Sequence, residues 1–171
     1  ISKVNGIGAI EAMCAEPYPG VIGERGGLEE LDLLGAYAEH VASIVEMEGD
    51  VSLCIDAANG TAGHTLPGTL GKLPLAGVET LFMEPDGTFP NHEANPIKEE
   101  NLDDVRELVK AKAADLGVGF DGDADRCCFV DETSRTVPAD LMTALLAREF
   151  LAKEPGGHIV YDLRSSWVVK E

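Results

Sequence analysis

Apolar residues follow two different periods along the chain, and together these periods predict alternating strands and helices. Short apolar runs typical of buried strands occur at 51–57, 78–84, 115–120, 127–132 and 158–162. Apolar residues at helical spacing, or segments bounded by helix start and stop residues, predict helices at 28–47, 62–71, 101–113 and 138–153, with a short one within 6–16. Such alternation is typical of a layered α/β domain.

The connections refine this fold class. Only six residues separate the runs at 115–120 and 127–132, so these two strands pair antiparallel. The other strands are joined through helices, which favours parallel pairing. We therefore predict a three-layer α/β/α domain with a mixed, mainly parallel sheet. Asn101 is a suitable N-cap and Pro138 fits a first helical turn. Residues 85–96 are too rich in Pro, Asn and Gly for regular structure.

The same pattern divides the chain into four parts. Residues 1–27, which end in a Pro/Gly-rich connector, are interpreted as the end of a preceding domain. Residues 28–48 form a linking helix, 49–155 form the main α/β domain, and 156–171 begin a further α/β domain. The first residue is not Met, so we expect a processed or excerpted chain.

Composition excludes several classes of protein. The net charge of −18 argues against nucleic acid or an anionic membrane as a partner. No apolar run approaches the ~20 residues of a membrane span, and no signal peptide is visible at the start. The four cysteines lack C-x-x-C spacing and are interpreted as core-filling thiols. These features predict a cytoplasmic protein.

The segment "FDGDADR" carries the main candidate chemistry. In an extended strand Asp121 and Asp125 would lie about 13 Å apart, and in a helix Asp123 would point away from both. Only a curled loop, which Gly122 permits, brings the three carboxylates together. Arg126 can offset one of the three charges, and a divalent cation would balance the rest. An all-carboxylate site suits Mg²⁺ or Ca²⁺. The plainer alternative is an acidic surface turn that needs no ion.

Two other interpretations of this loop stay open at this point. A calcium EF-hand matches at the aspartates, but Arg126 occupies the position where a sharp turn normally requires Gly. An aspartyl-phosphate phosphatase would use Asp121 in a D-x-D-x-T motif, but Asp125 stands where Thr is expected. Elsewhere, His92 is interpreted as a residue that fixes its loop through hydrogen bonds. Arg164, just past the apolar run at 158–162, is a candidate phosphate ligand.

A resemblance to the α-D-phosphohexomutases rests on several motifs that occur in the order that family shows. The chain is similar to its phosphomannomutase and phosphoglucomutase branch over roughly residues 49–167. Ala124 is a mild departure, since many members have Gly there. The segments that carry the likeness are "IDAANGTAG", "EPDGTFPNHEANP", "NLDDV", "ADLGVGFDGDADRC" and "IVYDLRSSW".

The resemblance implies a four-domain enzyme whose second domain supplies the Mg²⁺ ligands, here Asp121, Asp123 and Asp125. It implies that a phosphoserine of the preceding domain exchanges its phosphoryl group with a hexose 1- or 6-phosphate through a hexose 1,6-bisphosphate. Arg126 would contact the transferring group. The phosphoserine loop and the sugar-binding segments of that family are absent from this sequence, so the chain alone is expected to be inactive.

Overall fold

The chain divides into two compact units, Ile1–Asp32 and Leu33–Glu171. The structure is a computed structural model, and it describes residues 6–17, 20, 23–24, 26–47 and 49–170. The first unit contains helix α1, Ile7–Ala15, at the predicted place. Part of the predicted connector lies outside the described residues. The predicted division of the chain into four parts stays a prediction.

The second unit contains a five-stranded sheet in the order β2-β1-β3-β4-β5. Its strands are β1 Ser52–Asp56, β2 Gly77–Leu81, β3 Leu116–Phe120, β4 Cys127–Asp131 and β5 Thr136–Val137. Its helices are α2 Leu34–Ile44, α3 Ala62–Leu70, α4 Asp103–Lys112 and α5 Ala139–Lys153, with 3-10 turns at Glu99–Leu102 and Trp167–Val169.

Strand direction follows from the length of each connection. β1 pairs parallel with both β2 and β3, because a helix lies between each pair in sequence. β4 returns antiparallel to β3 after a short loop, and β5 is antiparallel to β4. Four of the five strands therefore run in one direction and only β4 is reversed. The predicted mixed, mainly parallel sheet is confirmed.

The best-packed core lies between α4 and the sheet. Gly117 allows this close packing, since a Cβ there would lie 2.7 Å from Cγ2 of Val109 and 3.0 Å from Cβ of Val130. Acidic residues in the first turn of α4 and lysines in its last turn also complement the helix dipole. The buried cluster consists of Cys54, Leu102, Val105, Val109, Ala114 and Val130.

Three predicted features of secondary structure are wrong. The helix predicted at 28–47 begins only at Leu34, because Leu28 and Leu31 are exposed and an amphipathic turn without a packing surface is not stable. No strand forms at 158–162 in the described chain, where Val160 is 97% exposed and no neighbouring strand supplies hydrogen bonds. Asn101 does not cap α4; its Nδ2 donates to the Asn95 carbonyl instead.

The cysteines are only partly as predicted. Cys54 lies in the core and Cys128 packs against it, but Cys14 and Cys127 are exposed. Adjacent strand residues face opposite sides, so Cys127 and Cys128 cannot share one environment. Among the described residues, no helix is both long enough and apolar enough to cross a membrane.

Candidate metal centre

The candidate site forms where the parallel strands end. β1 ends at Asp56, β2 at Leu81 and β3 at Phe120, and the pairing register places these ends at one edge of the sheet. Three connections start there: the turn 57–61, the flanking loop 85–96, and the metal loop, which we define as residues 121–126. Sites of α/β proteins commonly lie at this edge, because several connections converge on it.

The metal loop brings the three aspartates together. One carboxylate oxygen from each of Asp121, Asp123 and Asp125 lies within 4.8 Å of the others. The loop curls because the Ala124 N–H donates to the Asp121 carbonyl at 3.2 Å and the Asp121 N–H donates to the Arg126 carbonyl at 3.2 Å. Asp121 is buried, whereas Asp123 and Asp125 are exposed. The predicted convergence of the carboxylates is therefore present.

Ala124 adopts a backbone conformation that glycine favours. Its φ is 59°, in the left-handed region, where a Cβ costs about 1–2 kcal/mol. The loop thus keeps its curled shape in spite of a strained residue. The departure from the family pattern at this position does not prevent the aspartates from converging.

Arg126 holds Asp121 in a bidentate arrangement. Its backbone N–H donates to Oδ1 of Asp121 at 3.1 Å, and its Nε donates to Oδ2 at 2.7 Å. The same Nε lies 3.4 Å from Oδ1 of Asp125. Both contacts use Nε, and the hydrogen bonds found among the described residues leave Nη1 and Nη2 of Arg126 unused. The guanidinium therefore offsets one negative charge and keeps donors for a ligand.

The pKa values of the carboxyls diverge within this cluster. Burial opposes ionisation of Asp121, but the backbone N–H and the guanidinium of Arg126 outweigh it, so the pKa of Asp121 is lowered. The pKa of Asp125 is raised, first by a hydrogen bond with Asp121 and then by the negative charge of Asp123. The loop thus concentrates negative charge that a cation would relieve.

The turn 57–61 supports the metal loop through its backbone. The Thr61 N–H donates to the Gly122 carbonyl at 3.0 Å. A Cβ on Gly60 would lie 2.7 Å from that same carbonyl oxygen, so the approach requires glycine at this position. The neighbours Ala58 and Asn59 have positive φ values of 47° and 56°. The turn is therefore shaped to meet the metal loop.

The flanking loop is tied to the end of β1 and to the turn 57–61 through two side-chain contacts. Nε2 of His92 lies 2.9 Å from Oδ2 of Asp56, which is buried at the end of β1. Nδ2 of Asn91 donates to Oδ1 of Asn59 at 2.7 Å. The prediction that His92 fixes its loop by hydrogen bonds is confirmed. The sequence alone did not reveal Asp56 as the partner of His92, because the two residues lie 36 positions apart.

The hydrogen bonds of His92 place one shared proton between it and Asp56. Nδ1 lies 2.9 Å from the Glu93 carbonyl, which only accepts, so Nδ1 donates. The Nε2–Asp56 contact then needs a second proton, on either partner. Burial opposes the charged imidazole, but hydrogen bonds to Glu93 and Asp56 outweigh it and raise the pKa of His92. Burial raises the pKa of Asp56. The pair therefore keeps its protons to higher pH in the folded chain than in the unfolded chain.

This pair predicts that stability falls with rising pH. The raised pKa of His92 means that its contribution is complete below about pH 6.5 and is lost as pH rises through the folded value. The pKa shift of Asp56 has the same sign, and the negative charge of Asp104 raises the pKa of both groups. We expect the urea midpoint to decrease from pH 6 to pH 8, and to decrease less in His92→Gln. Equal pH slopes for both proteins would contradict this assignment.

Arg164 does not join the metal cluster. It lies in the C-terminal segment, where Nε donates to Oδ1 of Asp162 at 2.8 Å and its side chain is 86% exposed. Its assignment as a phosphate ligand stays a prediction.

The flanks of the metal loop are the strands β3 and β4, and this arrangement differs from the two helices of an EF-hand.

Two solved structures with a similar fold carry names of the phosphoglucomutase/phosphomannomutase kind. A phosphoglucomutase/phosphomannomutase family protein from Burkholderia thailandensis superposes with a TM-score of 0.76 at 33% identity, covering 83% of this chain and 32% of that one. A structure described as a phosphomannomutase from Thermus thermophilus gives a TM-score of 0.70 at 25% identity, covering 85% and 34%.

Curated relatives carry names of the same kind. A protein named phosphohexose mutases from Xanthomonas campestris pv. campestris is 42% identical over 77% of this chain and 30% of its own length. A phosphomannomutase/phosphoglucomutase from Pseudomonas aeruginosa is 36% identical over 81% of this chain and 30% of its length. The chain thus spans about 30% of the length of these relatives.

A family model agrees with both comparisons. Residues 35–134 match the model described as phosphoglucomutase/phosphomannomutase, alpha/beta/alpha domain II. The matched residues include the sheet strands β1 to β4 and the whole metal loop. The chain therefore belongs to the phosphoglucomutase/phosphomannomutase family, of which it carries the second α/β/α domain.

Proposed function

We propose that the whole protein is a Mg²⁺-dependent, cytoplasmic phosphohexomutase and that this chain supplies its metal-binding loop. The observation that carries the proposal is the convergence of Asp121, Asp123 and Asp125 within 4.8 Å beside Arg126. The names of the relatives support hexose phosphates as the substrate class. The implied partners are a hexose 1- or 6-phosphate, the 1,6-bisphosphate, and a phosphoserine of the preceding domain.

The residues present fit a hard divalent cation. The three donors are carboxylates, which suit Mg²⁺ better than zinc, and the family resemblance favours Mg²⁺ over Ca²⁺. Mg²⁺ requires about six oxygen ligands, so three carboxylates leave positions for water or a phosphoryl oxygen. When bound, Mg²⁺ would supply charge neutralisation for a phosphoryl group. Asp121, held from one side by Arg126, would be the most rigid of the three ligands.

Arg126 has two roles in this proposal. Its Nε and backbone N–H orient the Asp121 carboxylate, so the ligand is positioned before any cation arrives. Its terminal nitrogens supply hydrogen-bond donors for the oxygens of a transferring phosphoryl group. Phosphoryl transfer depends mainly on alignment and electrostatic stabilisation, so such contacts are the contribution that this domain makes. The strong negative charge elsewhere on the chain favours neither nucleic acid nor an anionic membrane.

Titration of the 171-residue chain with MgCl₂ and CaCl₂ in a calorimeter tests the proposal. We expect Mg²⁺ to bind weakly, with a dissociation constant above about 0.1 mM, because half of its coordination shell must come from elsewhere. We also expect no conversion of glucose 1-phosphate by the chain alone, since the phosphoserine loop and the sugar-binding segments of the family are missing from it.

A control variant and two contrary outcomes sharpen this test. Asp50→Asn removes an exposed carboxylate outside the loop and is expected to leave binding unchanged. Ca²⁺ binding with a submicromolar dissociation constant would instead favour a calcium-binding module. No heat from either cation beyond that of dilution, or mutase turnover by the chain alone, would contradict the proposal.

A further inference from the structure

We propose that Phe89 and His92 are positioning residues that hold the metal loop in its ligand-ready shape. This inference rests on the proposed function, since it concerns the affinity of the same loop for a cation. The two residues lie in the flanking loop and belong to neither the three aspartates nor Arg126.

Phe89 supports the metal loop directly. A Cβ built on Gly122 would lie 3.2 Å from Cζ and 3.5 Å from Cε1 of Phe89, so the aromatic ring covers the backbone of this loop residue. Ala94 lies close to the same point, with its Cβ 3.6 Å away. Gly122 stands between the two ligands Asp121 and Asp123. Its backbone is therefore held by the Thr61 N–H and by the ring of Phe89.

His92 ties the segment that carries Phe89 to the sheet. Its imidazole connects the buried Asp56 carboxylate at the end of β1 with the Glu93 carbonyl, both at 2.9 Å. The ring of Phe82 packs edge-on against it, with centroids 5.4 Å apart. His92 side-chain exposure is only 14%. The imidazole thus joins the rigid strand end to the loop at a point three residues beyond Phe89.

Backbone strain indicates that this arrangement is imposed by its surroundings. Phe89 and Phe82 have φ values of 48° and 50°, in the left-handed region that bulky residues rarely adopt. Such conformations persist only where neighbouring contacts over-determine them. For Phe89 these contacts include its N–H bond to the Asp86 carbonyl at 2.9 Å, the Asn91–Asn59 bond at 2.7 Å and the His92 tether. Loss of the tether weakens this set of contacts, which allows Phe89 to relax away from Gly122.

The consequence concerns metal affinity. The metal loop gathers three like charges, whose repulsion opens the loop unless its backbone is held. A loop that is already curled loses less freedom when a cation binds, so support from Phe89 increases affinity without any direct contact to the ion. Removing either the ring or its tether is expected to reduce cation affinity.

The test uses Mn²⁺ as the probe, because free Mn²⁺ is counted directly by electron paramagnetic resonance even when binding is weak. We expect His92→Gln and Phe89→Leu each to raise the Mn²⁺ dissociation constant of the chain by about 10-fold, the lower end for residues that support metal ligands. The double variant is expected to be no weaker than the weaker single one, since both act through one contact. His40→Gln, an exposed histidine on α2, is the matched control and is expected to bind as the wild type does.

Each outcome has a defined meaning. Variants that unfold at lower urea concentration yet bind Mn²⁺ with wild-type affinity would show a purely structural role and overturn this inference alone. If the double variant lost as much Mn²⁺ affinity as the two single variants together, Phe89 and His92 would act independently. That result would overturn the claim that both act through one contact. If His92→Gln does not fold, Phe89→Leu carries the test, because Phe89 is 37% exposed and its truncation is milder. A wild-type chain that binds no Mn²⁺ would overturn the proposed function together with this inference.

Discussion

We expect Asp123→Asn in the whole protein to reduce mutase turnover by about 100-fold or more and to raise the Mg²⁺ concentration needed for half-maximal rate. Residues that only support metal ligands already contribute about 10- to 100-fold, so loss of a proposed ligand charge lies at or above that range. Folding is expected to change little, because Asp123 is exposed and its removal reduces repulsion with its two neighbours. Steady-state rates over a Mg²⁺ series, with a thermal melt of each protein, measure both effects.

Controls for this variant separate a general charge effect, a shared metal ion and an aspartyl-phosphate mechanism. Asp50→Asn changes the net charge equally outside the loop and is expected to keep wild-type kinetics. Wild-type turnover of Asp123→Asn at low Mg²⁺ would rule out a shared ion. An aspartyl-phosphate enzyme would instead carry phosphate on Asp121, so mass spectrometry of the trapped enzyme distinguishes it. We expect the phosphate on a serine outside this chain.

We expect Gly63→Ala to destabilise the second unit by about 3 kcal/mol, at the upper end of the range for an overpacked site. A Cβ at this position in α3 would lie only 1.8 Å from the Met83 carbonyl oxygen. That backbone cannot move away easily, because Asn59 bonds to both sides of it, through its N–H to Phe82 and through its Nδ2 to Glu84, each at 2.8 Å. Urea denaturation followed by circular dichroism measures the change.

The same helix offers a matched control for this glycine. A Cβ on Gly68 meets only Cβ of Ala38, at an ordinary 3.7 Å. Gly68→Ala is therefore expected to be neutral or to stabilise by up to about 1 kcal/mol through helix propensity. If both alanine variants had the same midpoint, the close approach of α3 to Met83 would not be a constraint.

Local sequence signals predicted most of the elements because each carries its own periodicity. The four main strands and α3, α4 and α5 occur close to their predicted bounds. The errors occur where the outcome depends on a distant partner. The segment 158–162 has the composition of a strand, but a strand also requires a neighbour with free backbone groups. β5 is only two residues long and carries too little pattern to be recognised.

The convergence of the three aspartates was predictable from the sequence, but the contacts that support it were not. Asp121, Asp123 and Asp125 stand close together in sequence, so electrostatics and chain geometry alone predict a curled loop. The contacts around this loop join residues that are distant in sequence. For example, the flanking loop beside it is held through Asp56, which lies 36 positions before His92. Nothing in a single sequence connects Phe89 with Gly122, since that contact depends on how two strand ends meet. Only Gly122 itself, a residue without a Cβ beside a charged cluster, gave a local signal.

The short connection between β3 and β4 also has a consequence for folding kinetics. This hairpin closes over the metal loop alone, whereas Ser52 and Asp115 meet across 63 positions and the His92 tether spans 36. Loop-closure entropy increases with separation and hairpins form within about 1–10 μs, so we expect the aspartates to converge before their supports are in place. We therefore expect their mutual repulsion to slow an early step of folding. Interactions of the tether form late and govern mainly how fast the native structure is lost.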